Sequence, residues 1–248
     1  MSNNELSVQL YTVRGALSAD LPGTLKRVAD IGFKNVELYG FVDLASEYAE
    51  FLPAAGLTAP SAHAKLVGQD VPAIFAAAQK IGISTVIDPA IEKEHWTTRD
   101  DVTASATALN ALVGQAADSG LTIGYHNHWW ETENRIDGTP ALEIFADLLD
   151  PAIKLEVDTY WAEVGGVSAV DLLGRLGERV QFIHVKDGAV NQDDQSQVAV
   201  GSGKIDVLGI LAAAPQALRV VELDGFAGDV FDALTDSFAF LTANGVRA

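Results

Sequence analysis

Four junctions in this chain carry the same punctuation: Ile31-Gly32-Phe33, Ala55-Gly56-Leu57, Ile81-Gly82-Ile83 and Ser119-Gly120-Leu121. Each glycine reads as the residue just past a helix C-terminus, where the left-handed backbone region is reached without a Cβ clash. An apolar, strand-like run follows at once. A chain punctuated this way repeats helix-then-strand units, and strands joined by helical crossovers pair in parallel.

Eight strand candidates can be counted, at 6–11, 34–39, 57–62, 84–88, 121–127, 153–158, 180–186 and 219–224. Helical periodicity is clearest at 72–81, 98–118, 141–149, 169–176 and 230–243, several of them preceded by Asp, Ser or Thr suited to N-capping. The 248 residues match the usual length of one eight-fold barrel, and no linker or low-complexity stretch interrupts the count. The pattern therefore predicts the α/β class and a single (β/α)8 barrel over residues 1–248. The longest irregular segment, 188–204, follows the seventh strand, where a barrel places an active-site loop.

In a barrel the bulky aliphatic set points out to the helices and the alternate residues point inward. On the fifth strand Leu121, Ile123 and Tyr125 face out, leaving Thr122, Gly124, His126 and then His128 toward the axis. The sixth leaves Lys154, Glu156 and Asp158 inward, the seventh His184 and Lys186, the eighth Glu222 and Asp224. Four consecutive strands thus deliver His126, Asp158, His184 and Glu222 near their C-terminal ends, the face on which barrels build sites. Two imidazoles and two carboxylates suit one divalent metal ion: Mn²⁺, Mg²⁺ or Co²⁺, with Zn²⁺ and Fe²⁺ also compatible. On the fifth strand the choice stays open among His126, His128 and Glu131, because the turn out of the strand can rotate any of them toward the metal. Lys186 reads either as a proton carrier or as the partner of Glu156 or Asp187 in an ion pair, and His63 either lines the pocket or joins in the chemistry.

The chain has 16 basic against 34 acidic residues, a net charge of −18, and such a field repels nucleic acid. No apolar run reaches membrane-spanning length, and Met1-Ser2-Asn3-Asn4-Glu5 lacks the basic and apolar segments of a secretory signal. With no cysteines, the default expectation is a soluble cytoplasmic protein with neither a nucleic-acid nor a membrane partner.

An ordered set of motifs runs along essentially the whole chain: Ser7-Val8-Gln9-Leu10-Tyr11-Thr12-Val13-Arg14, Val36-Glu37-Leu38-Tyr39-Gly40, Ser61-Ala62-His63, Gly124-Tyr125-His126-Asn127-His128-Trp129-Trp130-Glu131, Glu156-Val157-Asp158-Thr159-Tyr160-Trp161, His184-Val185-Lys186-Asp187, Gly201-Ser202-Gly203-Lys204-Ile205-Asp206 and Val221-Glu222-Leu223-Asp224-Gly225. With this set the sequence resembles the xylose-isomerase-like TIM barrel superfamily of sugar phosphate isomerases/epimerases, inosose dehydratases, ketose epimerases and AP endonucleases. The resemblance implies Asp158, His184 and Glu222 as metal ligands. The sequence departs from the family on the fifth strand, where a Glu that binds metal and moves a proton is replaced by His126, with Glu131 in the following loop to restore the role.

The implied reaction is isomerisation or epimerisation of a small sugar or keto-sugar, by abstraction of a proton α to a carbonyl through an enediolate that the metal stabilises. Lys186, Glu222 and Glu131 are the candidate proton carriers, burial and the nearby metal being expected to lower the pKa of Lys186. Glu37, His63, His128 and Trp161, with Tyr11 and Trp129, are the candidate sugar contacts. The alternative is a dehydratase or β-eliminating lyase on a keto-sugar or inosose. A carbohydrate-binding barrel without catalysis and a phosphodiesterase are the readings from other classes. Barrels of this family often dimerise, which leaves a homo-oligomer open. The Gly201 to Asp206 motif lacks the strand and third glycine of a nucleotide fingerprint and reads as a turn with Asp206 capping the next helix.

Overall fold

The computed structural model describes residues 5–247, so residues 1–4, on which the absence of a leader was read, lie outside the described residues. Eight parallel strands close into one barrel: β1 (Leu6–Gln9), β2 (Asn35–Tyr39), β3 (Thr58–His63), β4 (Thr85–Asp88), β5 (Thr122–His126), β6 (Lys154–Asp158), β7 (Val180–Val185) and β8 (Leu218–Val221). Each neighbours the next in chain order, and β8 returns to pair with β1, Leu6 opposite Arg219 and Val8 opposite Val221. The four glycines of the repeated junctions all have positive φ, from 68° to 126°.

The eighth strand was expected to run to 224, but its ladder ends at Val221, so Glu222 and Asp224 stand just beyond the sheet. The 98–118 periodicity divides into Arg99–Asn110 and Val113–Asp118. At the break the Asn110 side chain donates to Leu148 O at 2.9 Å and accepts from Asp150 N at 2.7 Å, tying this helix to the end of its neighbour. Short helices such as Trp130–Glu133, Thr159–Val164 and Val207–Ala213 escape a periodicity reading because they span too few turns to show a face.

The main apolar core lies between barrel and helices, built on the outward residues that alternation picked out, Ile123 and Tyr125 on β5 and Ile183 and Val185 on β7 among them. Inside the barrel a second, small cluster of Ile87, Phe182, Leu218 and Val220 forms a plug. Phe182 and Val220 precede His184 and Glu222 by two residues, so the plug is one layer below the polar groups at the mouth.

The segment after β7 pairs back on itself, Asp187–Gly188 running antiparallel to Gln197–Val198, and is clasped by one side chain. Buried Asp187 accepts from four backbone N–H groups, those of Gly188 (2.8 Å), Gly201 (3.0 Å), Gly203 (2.9 Å) and Ile205 (3.1 Å). A Cβ on Gly203 would stand 2.1 Å from Asp187 Oδ1, which is why glycine is required there. Asp206 then accepts from Gly209 N and caps Val207–Ala213, so the glycine motif is the expected turn.

Candidate metal centre and pocket

Strand register decides which polar groups meet. It sets Asp158 beside His184, His126 beside Glu156, and Glu37 beside both Gln9 and Ser61. Because these positions all point inward, their side chains meet above the plug.

At the mouth, Asp158, His184 and Glu222 each offer a ligand atom, and these atoms lie within 4.8 Å of one another. His184 Nδ1 is 2.8 Å from Glu222 Oε2 and 3.9 Å from Asp158 Oδ2, and His126 Nε2 is also 3.9 Å from Asp158 Oδ2. Ligands about 2.0–2.2 Å from one small divalent ion lie about 3–4 Å apart, and imidazole with carboxylate is a common donor set for such ions. The buried Asp158 Oδ2 already faces one cation, the Lys186 ammonium 2.8 Å away, so the cluster is built to compensate positive charge. In both chemistry and spacing, this cluster can bind a divalent metal.

Lys186 stands in the same space. Its ammonium lies 2.8 Å from Asp158, 2.7 Å from Glu222 and 2.6 Å from Asp224. The expected pairing with Glu156 or Asp187 does not occur: Glu156 is one layer deeper, and Asp187 points to the other face to hold the loop. Burial alone would lower the Lys186 pKa, but the Asp158, Asp224 and Glu222 carboxylates hold it well above its ordinary value, opposite to the expected direction. Burial pushes Asp158 up to about 6. Burial would also raise Glu222, but Lys186 and His184 hold it well below the usual carboxylate range. Asp224 is held separately by Gln197 Nε2 at 2.8 Å, which gives the ammonium an anchor outside the donor set.

A second group lies deeper: His63, His126, Glu156 and His184 also bring ligand atoms within 4.8 Å of one another. Glu156 Oε2 is 2.6 Å from His63 Nε2, 3.1 Å from His126 Nδ1 and 3.2 Å from His184 Nε2. Glu37 Oε1 meets His184 Nε2 at 2.8 Å and His63 Nε2 at 3.1 Å, while accepting from Gln9 Nε2 at 2.9 Å; its Oε2 accepts from Ser61 Oγ at 2.6 Å. Burial would lower the pKa of His63 and His184, but Glu37 and Glu156 lift His63 to about 10, and Glu156 and Glu222 lift His184 well above its ordinary value. His126, pushed well below by burial and by His184, stays neutral.

Above both groups opens a cavity of about 470 Å³. One wall is Tyr11, Tyr39, Phe41, Val42 and Pro89; the polar side is His63, His126, His128, Glu222 and Asp224. His128 lies flat against Trp130, ring centroids 4.3 Å apart, with its buried Nδ1 unpartnered, and burial pushes its pKa down to about 3.

The other expected site residues fall elsewhere. Glu37 is fully buried below the cavity and does not line it. Trp161 is buried beside Lys186, and Trp129 stacks under the Lys93 ammonium away from the cavity. Glu131 turns away from the mouth, accepting from Tyr125 OH at 2.8 Å and from His128 N at 2.9 Å. Tyr39 and Phe41, which line the pocket from β2 and its loop, were not singled out as sugar contacts; their sole sequence signal is that they follow Glu37 at a strand end.

Fold and site together define an α/β barrel with a metal-competent polar cluster at its C-terminal mouth. Residues 25–217 match the family model of the xylose isomerase-like TIM barrel, and the chain belongs to that family. It is 26% identical over 155 residues to an inosose dehydratase of Lacticaseibacillus casei, which is 61% of this chain and 48% of that protein. The chain thus spans about half the length of the curated relatives it matches. A sugar phosphate isomerase/epimerase from Parabacteroides distasonis ATCC 8503 superposes with a TM-score of 0.84 at 22% identity, over 100% of this chain and 96% of that one. The IOLI protein, solved with a binding zinc atom, superposes with a TM-score of 0.71 at 16% identity over 98% of each chain. At these identities the structural likeness concerns the fold. Among the described residues no helix is long and apolar enough to cross a membrane.

Proposed function

We propose that this chain is a divalent-metal-dependent enzyme that isomerises or epimerises a small sugar or keto-sugar by moving a proton on the carbon α to a carbonyl. The observation that carries the reading is the close approach of the Asp158, His184 and Glu222 donors, within 4.8 Å of one another, at a cavity with one aromatic wall and one polar wall that Glu222 itself lines. His126 would join them as a fourth ligand, and the zinc found with the IOLI protein agrees with a cation on this fold. When bound, the cation supplies Lewis-acid polarisation of a carbonyl and its neighbouring hydroxyl.

The chain's own groups do the rest. Tyr11, Tyr39 and Phe41 offer ring faces to the C–H side of a sugar, and His128, kept neutral by burial, lines the polar side of the cavity, where an imidazole can hydrogen-bond a hydroxyl. Glu222 faces the cavity as an ionised carboxylate and is the group placed to take and return the proton. Lys186, held as an ammonium, positions Glu222 and neutralises charge instead of acting as a base.

A second reading, dehydration of a keto-sugar, is favoured by one feature: the cationic His63 reaches the cavity, where it can protonate a departing hydroxyl. The relationship to an inosose dehydratase supports the same reading. Both reactions begin with the same proton abstraction.

The test is deuterium exchange from D₂O, followed by NMR across free sugars, keto-sugars and inososes after chelation and restoration of Mn²⁺ or Mg²⁺. Metal-dependent exchange abolished by Asp158→Ala and by His184→Ala is expected, and the product then separates isomerisation from dehydration. Absence of exchange across the panel overturns the mechanism.

A further inference from the structure

Both imidazoles of the proposed metal site use one ring nitrogen toward the mouth and the other toward a buried carboxylate. His184 presents Nδ1 to Asp158 and Glu222, while its Nε2 meets Glu37 Oε1 at 2.8 Å. His126 presents Nε2 toward Asp158, while its Nδ1 meets Glu156 Oε2 at 3.1 Å. The two carboxylates come from different strands, neither lines the cavity, and both are fully buried. A buried carboxylate is costly without compensation, so each needs a reason to be there.

Resting on the proposed metal reading, we infer that Glu37 and Glu156 are positioning residues: Glu37 fixes the ring of His184, which Glu156 also approaches at 3.2 Å, and Glu156 fixes that of His126, so that His184 offers Nδ1 and His126 offers Nε2. A carboxylate on the far nitrogen of a ligand histidine fixes the tautomer and strengthens the ligand. Glu37 is anchored for this by two neutral donors from the flanking strands, Gln9 Nε2 and Ser61 Oγ, so its orientation does not depend on the imidazoles it holds. His63, between the two carboxylates at 3.1 Å from Glu37 and 2.6 Å from Glu156, is their shared counterion. This arrangement accounts for the depth of the cluster: one layer holds ligands and the layer below aims them.

The experiment is a Co²⁺ titration of the metal-free full chain, followed by visible absorption, which needs no substrate. Wild type should bind one Co²⁺. Glu37→Gln and Glu156→Gln should each keep that stoichiometry and spectrum with about 10–100-fold weaker affinity, while Asp158→Ala should abolish binding. Ser61→Ala, which removes one anchor of Glu37 and leaves every charge in place, should weaken binding in the same direction by less. It carries the test if Glu37→Gln fails to fold in thermal melts. Wild-type affinity in either Glu variant overturns the role given to that residue. Loss of Co²⁺ in Glu156→Gln with retention in Asp158→Ala overturns the assignment altogether, because the cation would then occupy the deeper group with Glu156 as ligand. If wild type binds no Co²⁺, the metal reading under Proposed function falls and this inference with it; wild-type binding that the variants leave untouched removes only this inference.

Discussion

Glu131 keeps its carboxyl fully buried, with a tyrosine hydroxyl and one backbone N–H as its partners. Burial pushes its pKa up to about 8, from an ordinary value near 4.5. Below the lower value the group is protonated in both folded and unfolded chains, and its linkage contribution is flat. Between the two values the unfolded chain loses the proton while the folded chain keeps it, so stability falls as pH rises and levels off above about 8. Glu131→Gln should flatten this slope: the unfolding free energy of the wild type, from urea melts, should drop more than the variant's between pH 5 and pH 8, by a difference on the order of a few kcal/mol at most. Equal slopes would mean that Glu131 is ionised in the fold. The same residue marks the limit of what sequence conveys. Alternation places His126, Asp158, His184 and Glu222 because a strand fixes which way each side chain points. Once β5 ends at His126 the chain turns, and nothing in residues 127–131 says that Glu131 swings back onto Tyr125. Nor does alternation say how deep a group lies, so Glu156 and Asp158 look equivalent in sequence although Lys186 reaches only the second.

In the segment from β7 to the next helix, Asp187 clasps Gly188, Gly201, Gly203 and Ile205 through their backbone N–H groups, beside the short antiparallel pairing of Asp187–Gly188 with Gln197–Val198. Asparagine keeps one acceptor oxygen and replaces the other with an amide that can only donate. Asp187→Asn should therefore orphan buried N–H groups, lower stability by about 1–3 kcal/mol and speed amide exchange across residues 188–204. Exchange unchanged in that stretch would show that other contacts hold the segment. Strands and long helices were legible because their periods repeat several times, whereas this clasp pairs one carboxylate with amides up to 18 residues away and leaves no period at all.

As a whole the molecule carries a net charge of −18, and its surface repels itself in the folded state. Screening shortens that repulsion from a range of about 10 Å at 0.1 M salt to about 3 Å at 1 M. The melting temperature of the chelated protein should accordingly rise with NaCl over this interval; a fall would show that local ion pairs outweigh the net charge. Closure of the barrel was legible at this scale, since eight strand-and-helix units in a chain of 248 residues leave no unit over for an open sheet. The plug of Ile87, Phe182, Leu218 and Val220 seals the barrel beneath the polar groups. A chamber with a closed floor has one doorway, so whatever binds there departs along the path by which it arrived. Under the proposed function, substrate and product would take turns at that doorway, and accumulated product would slow turnover by occupying it.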